Sequence, residues 1–225
     1  MLKENETLED LLIGGLKIIQ SKDLYRFSSD AVLLSKFASH KKGDAVVDLC
    51  AGSGIVGLHY YALHKDVKSV KEVEIQQGLA DICERSVGYN GLGDIFTVEN
   101  IPLQELPAAD NGKYTLCLCN PPYKKAGSGE VNPSQSVAVA RHELTVTLRE
   151  ICETAKRLLM HGGRFCVCQR IERFTDVFFE MRKAGIEPCR LQFVKTENGR
   201  EPYLFLVEGT KGVSRKFSVL PTVIN

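Results

Sequence analysis

The stretch "DLCAGSGIVGL", Asp48 to Leu58, decides how this chain reads. An apolar, β-branched run ("DAVVDLC") leads into it and a helical pattern ("GIVGLHYYALHK") leaves it, so it is a strand, a tight turn and a helix start. Gly52, Gly54 and Gly57 have the spacing of a nucleotide-binding turn, where glycine lets the backbone turn sharply and approach a ligand closely. In an open α/β sheet such ligands sit at the carboxyl ends of the strands.

Two acids narrow the ligand. Glu74 ends the next apolar run, "VKEVEI", where a carboxylate can accept both hydroxyls of a ribose. Asp48 sits at the end of the first strand. Beside a pyrophosphate it would be repelled by about 4 kcal/mol per unit charge at close range and surface-like dielectric. Beside an ammonium or a sulfonium the same charge is favourable, directly or through water. The turn therefore suits a cationic nucleoside such as S-adenosylmethionine, and NAD is the minority reading.

The pattern continues outward from this turn. Strands are expected at "DAVVDLC", "VKEVEI", "IFTVEN", "YTLCLCN" and "RFCVCQR", with two more near "CRLQFV" and "PYLFLVEG". Helices are expected around "GLADICERSVGYNG", over "LTVTLREICETAKRLLMHGG" with Gly162 and Gly163 closing it, and over "RFTDVFFEMRKAG". Strand–helix alternation implies a mostly parallel α/β sheet with helices on both faces. The last two strands are joined by too few residues for a crossover helix and should pair as an antiparallel hairpin at one edge. Residues 1–42 read as an N-terminal extension with one helix, "SSDAVLLSKFA", capped by Ser28 or Ser29. Residues 43–225 read as the main domain. The polar segment from Lys124 to Glu143 is long for a connection and is expected to be functional or disordered.

Composition excludes several classes. The 225 residues carry a net charge of +1, so no global field draws in nucleic acid, and such a partner needs a local basic patch. The polar, acidic start has no signal-peptide order, and no apolar run approaches the roughly 18 residues of a membrane span; a cytoplasmic protein is expected. Eight cysteines include two C-x-C pairs inside apolar strands and no C-x-x-C, which reads as reduced, buried thiols and no metal site. His59, His64 and His161 lack acidic partners at metal or triad spacing and read as structural.

The fourth strand ends in Asn120-Pro121-Pro122-Tyr123. Proline cannot continue a central strand, so the chain must turn here. An exocyclic amine conjugated with a purine, or an amide nitrogen, is a poor nucleophile because its lone pair is delocalised. The Asn120 side-chain carbonyl and the Pro121 backbone carbonyl can each accept one N–H of such a group and hold its nitrogen in line with a methyl donor. Tyr123 offers a flat face for a planar target, which must be unstacked if it is a base.

"DLCAGSG", "VEI" and "NPPY", in this order and spacing, resemble the class I S-adenosylmethionine-dependent amino-methyltransferases. With "IIQSKDLYRFSSDAVLLSKFA", "ARHE", "LQFV" and "LFLVEGTKG" the chain is similar, over nearly its whole length, to bacterial tRNA(Val) (adenine-37-N6)-methyltransferases. The resemblance implies a Rossmann-like seven-stranded sheet and methyl transfer to N6 of adenine 37, beside the tRNA anticodon. It implies that Asp48, Ala51, Gly52, Ser53 and Gly54 bind the methionine part of S-adenosylmethionine and Glu74 the ribose. Asp30 would close the cofactor pocket, and Asn120 and Tyr123 would handle the target. After the third strand the family often carries an acid toward the cofactor adenine; Asn100 stands there, whose amide oxygen can accept the same N–H, with Glu99 as a neighbouring alternative. Lys124, Lys125, Arg141, His142 and Arg170 are candidate phosphate contacts for the anticodon stem-loop. A monomer without metal is expected. Rival readings are N5-glutamine methylation of a protein such as a release factor, DNA adenine methylation, and a binding module that retains the fold.

Overall fold

A computed structural model describes residues 2–123, 146–196 and 201–225. Its centre is a sheet of nine strands. Five parallel strands form the body: β3 (Ala45–Leu49), β4 (Ser69–Val73), β5 (Phe96–Glu99), β6 (Tyr114–Cys119) and β7 (Leu159–Arg170). They lie in the order β5-β4-β3-β6-β7, so the order reverses between β3 and β6. Next to β7 comes β9 (Leu204–Lys211), antiparallel to it, and then β8 (Ile186–Lys195), antiparallel to β9. This is the expected antiparallel hairpin. Two further two-residue strands, β10 (Ser218–Val219) and β11 (Val223–Ile224), pair with the outer side of β8 and were not anticipated.

Helices cover both faces because the strand residues alternate between two apolar clusters. Val46, Leu116, Leu118, Cys166 and Cys168 face one side and pack against α1 (Ser29–Phe37), α2 (Ile55–Leu63) and the end of α3 (Gln77–Tyr89). Val47, Leu49, Cys117, Cys119 and Phe165 face the other, against α4 (Leu148–Leu158) and α5 (Phe174–Lys183). All eight cysteines are free thiols, and the two C-x-C pairs are buried strand residues as expected. Period-two alternation inside the sheet, not metal binding, explains their spacing.

Three expectations need correction. The N-terminal extension is not only helical: β1 (Glu6–Asp10) and β2 (Lys17–Ser21) form an antiparallel hairpin ahead of α1. Ser28 occupies the N-cap position of α1, but its side chain makes no capping bond. The helix after the long polar segment stops at Leu158, and "LMHGG" already belongs to β7. Tyr114 pairs with Leu159, and the register then shifts before Leu116 meets Arg164, so the strand starts early and bulges.

Two pairs of charged side chains lie in this core. Asp44 and Arg164 are 2.6 Å apart at 1% exposure each, and Asp44 also accepts from Thr115, Tyr60 and the Lys41 amide. That charge is compensated. Asp48 and Glu72 are different: they are directly opposite on β3 and β4, and both are fully buried. The groups that act on Asp48 are the Glu72 and Glu74 carboxyls and the Gly57 amide, and no cation is among those that act on either acid of the pair. Glu72 sits under α2 because residue 57 is glycine; a Cβ there would come within 2.0 Å of its Oε1. Two such carboxylates cannot both ionise, so the pair retains a proton.

Burial drives the Asp48 carboxyl up to about 7, and burial with the Asp48 charge raises Glu72 as well. A carboxyl raised on folding holds more protons in the native state, so stability falls as pH climbs from about 4 toward 7. Glu72→Gln removes one charge and keeps a donor for Asp48. It should raise the melting temperature by several degrees at pH 8, at about 2–4 °C per kcal/mol, and by much less at pH 5. Equal shifts at both pH values in thermal unfolding would show that the pair is not the source.

Candidate active site

The turn between β3 and α2 is built from left-handed backbone. Cys50, Gly52 and Gly54 have φ of 60°, 58° and 81°. Only glycine adopts this region freely, so Cys50 is a strained exception at the end of β3. Gly54 is required twice over, since a Cβ would also lie 2.4 Å from Cys83 Sγ. At Gly52 a Cβ would meet nothing within 4 Å, so its outer side is open to an approaching ligand.

The turn is held from β4. Glu74 accepts the Gly52 N–H through Oε2 and the Gln76 N–H through Oε1, both at 2.8 Å. Asn100, just past β5, donates its amide to the carbonyls of Glu74 (2.8 Å) and Ile75 (3.1 Å). Those bonds turn its Oδ1 away from β4, leaving it able to accept. Beside these groups runs a narrow cleft lined by Cys50, Val73, Ile75, Ile101, Leu103 and Val146. An open glycine turn, a carboxylate, an amide and a mostly apolar slot nearby are the kinds of group that the amino-acid, ribose and base parts of a nucleoside such as S-adenosylmethionine require.

Ala51 and Ser53 are buried in the turn, and Ser53 accepts a bond from Gln20 Nε2 of β2 at 3.0 Å. Asp48 is not at the surface of the turn. It lies beneath, fully covered, so its charge reaches a ligand as a field and not as a contact.

The second half of the site is the turn after β6. Tyr123 Oη is 2.9 Å from Asn120 Oδ1 and 3.0 Å from Asp30 Oδ2. Cys168 Sγ, from β7, is 2.9 Å from the same Asn120 atom. Asp30, in the first turn of α1, also lies 3.3 Å from Tyr203 Oη. Asn225 Nδ2 donates to Tyr203 Oη and to Ser29 Oγ, each at 2.7 Å. The Arg170 guanidinium sits over both tyrosine rings, 5.0 Å from Tyr123 and 5.2 Å from Tyr203. It therefore covers one face of Tyr123 and leaves stacking to the other. Burial, then the neighbouring Cys168 and Asp30, raises the Tyr123 phenol, and burial pushes the Cys168 thiol up to about 12, so both keep their protons.

Asp30, Glu74, Asn100, Asn120 and Tyr123 thus gather at the carboxyl ends of the central strands. Lys124, Lys125, Arg141 and His142 lie outside the described residues. Gln20, Cys168, Tyr203 and Asn225 were not singled out from the sequence. Each comes from an element distant in the chain, and only the hairpin and the sheet order bring it here.

Residues 27–183 match the family described as the methyltransferase small domain. The tRNA1(Val) (adenine(37)-N6)-methyltransferase of Shewanella amazonensis is 30% identical over 185 residues, covering 82% of this chain and 78% of that protein. A predicted O-methyltransferase from Agrobacterium tumefaciens superposes with a TM-score of 0.68 at 17% identity, covering 87% of this chain and 86% of that one. TYW2 of P. horikoshii, solved in complex with MeSAdo, gives a TM-score of 0.64 at 15% identity over 94% and 73% of the two chains. With the glycine turn, the strand order and the matched span in agreement, this chain belongs to the methyltransferase small domain family and is an S-adenosylmethionine-dependent methyltransferase of Rossmann-like class I fold.

Proposed function

We propose that the enzyme methylates the exocyclic N6 amine of adenine in RNA, at tRNA adenine 37 beside the anticodon. The observation that carries this reading is the Asn120-Pro121-Pro122-Tyr123 turn, placed at the switch in strand order beside the glycine turn. The name of the 30% identical relative supports the substrate.

S-adenosylmethionine supplies, when bound, a methyl group on a sulfonium. Glu74 would hold the ribose hydroxyls, Asn100 the base amine, and the Ala51–Gly54 backbone the amino-acid part. Asn120 and the Pro121 carbonyl accept the two N–H bonds of the target amine. They aim its lone pair, and the nitrogen needs no strong base because it acidifies as it gains the methyl. The Tyr123 ring is the candidate platform for the flipped adenine. Arg170 fixes one face of that ring through a cation–π contact and adds positive charge at the rim.

Incubation with S-adenosylmethionine and separate pools of tRNA, rRNA, DNA and release factor, followed by digestion and mass spectrometry, should place N6-methyladenine in tRNA. N5-methylglutamine as the sole product would overturn the assignment. Asn120→Ala should lower turnover by roughly two to three orders of magnitude while leaving cofactor affinity nearly unchanged. Full activity in that variant would remove the basis of the amine reading. Glu74→Ala should weaken cofactor binding by about 1.5–3 kcal/mol in titration calorimetry, since it loses charge-assisted bonds to the ribose. Part of that loss comes through the freed Gly52 N–H.

A further inference from the structure

The contacts around Asn120 contain a proton-counting problem. Tyr123 Oη has one hydrogen, yet it lies within hydrogen-bond distance of two acceptors, Asp30 Oδ2 at 3.0 Å and the Asn120 amide at 2.9 Å. The bond to a carboxylate is charge-assisted and roughly twice as strong as a neutral one. Tyr203 does not relieve the competition. Its oxygen accepts from Asn225, and its own hydrogen points to the other oxygen of Asp30, so both phenols serve one carboxylate. Asp30 is only 5% exposed, and a carboxyl group so covered needs these donors.

With its hydrogen committed to Asp30, the Tyr123 oxygen presents only lone pairs to Asn120. An amide oxygen 2.9 Å away would then be repelled. An amide NH2 in that place donates instead. The Cys168 thiol, 2.9 Å from that same amide atom and 3.5 Å from Tyr123 Oη, can turn its own hydrogen to the phenol oxygen and accept the second amide hydrogen on sulfur. The contacts are thus satisfied when the Asn120 amide is turned end for end, and its carbonyl oxygen then faces away from both neighbours.

We propose that Asp30 is a positioning residue for methyl transfer: by drawing the Tyr123 hydroxyl hydrogen it makes the phenol oxygen an acceptor, which locks the Asn120 amide with its NH2 inward and its carbonyl free for the target amine. This rests on the amine-methylation reading above. It assigns Asp30 a task beyond closing the cofactor pocket, and gives the Tyr123 hydroxyl a role that its ring face does not supply.

The arrangement is tested without turnover first. In protein labelled at asparagine side-chain nitrogens, the signal lost in Asn120→Asp identifies the Asn120 NH2. Its hydrogens should exchange with water at least about tenfold more slowly than those of an exposed asparagine, the factor worth one hydrogen bond. Asp30→Asn and Tyr123→Phe should each remove that protection. Exchange at the rate of an exposed asparagine in the unaltered protein would overturn the proposal, whatever the substrate. Turnover supplies the second arm. Asp30→Asn and Tyr123→Phe should each lower kcat by about tenfold with cofactor affinity within twofold, and the double variant should be no slower than the slower single one. Additive losses, or a loss explained by weaker cofactor binding, would return Asp30 to the cofactor pocket. Failure of the unaltered enzyme to form N6-methyladenine would overturn the proposed function, while the exchange measurement would still decide the Asn120 arrangement.

Discussion

The Glu74 carboxylate ties the end of β4 to the turn after β3 and to the start of α3. It reaches from the end of β4 to the Gly52 N–H in the turn after β3 and to the Gln76 N–H that leads into α3. Asn100, from the end of β5, donates in turn to the Glu74 carbonyl. Ordinary ladder bonds extend the same seam, with the Ala51 amide on Val73 and the Glu74 amide on Glu99. Bonds from backbone N–H groups to an ionised carboxylate are short and strong, and they lose little by being shielded from water. The candidate cofactor cleft lies beside this seam. Its geometry is therefore set by the sheet and not by mobile side chains.

Around that rigid half, the chemistry is completed by residues brought from elsewhere. Gln20 comes from the N-terminal hairpin, Asp30 from α1, Cys168 and Arg170 from β7, and Tyr203 from the start of β9. The hairpin and α1 together hold the glycine turn from one side and the catalytic turn from the other. This makes the extension part of the candidate site and not an appendage, although residues 1–42 look like a separate segment in the chain.

Much of this was legible in the residues alone, for definable reasons. The strands of the sheet are apolar runs with clear boundaries, and glycine spacing and the double proline mark turns by steric necessity. Glu74, Asn120 and Tyr123 lie next to those turns, so local reading singles them out as candidates. The hairpin escaped because "TLED" and "KIIQS" are short, and their register is set by contact with α3, including the Ile19 amide on Ser86. Leu159 joined the strand and not the helix because pairing with Tyr114 outweighs its helical propensity. Asp48 was read from its charge, whereas its burial follows from facing Glu72 across the sheet, a pairing no local pattern encodes. Tyr203 meets Asp30, and Asn225 meets Ser29, across more than half the chain, beyond the reach of any motif.

The outer flank of β8 carries one more consequence. A sheet that ends in a ten-residue strand would leave a row of unsatisfied N–H and C=O groups, a template on which another chain can add itself. Here β10 and β11 lie along that strand at Arg190–Leu191 and at Val194–Lys195, and the Gln192 side chain reaches the Pro221 carbonyl between them. At the opposite margin β5 is only four residues long. Both borders of the sheet are thus blunted against strand addition, the route by which open α/β sheets polymerise into fibrous aggregates.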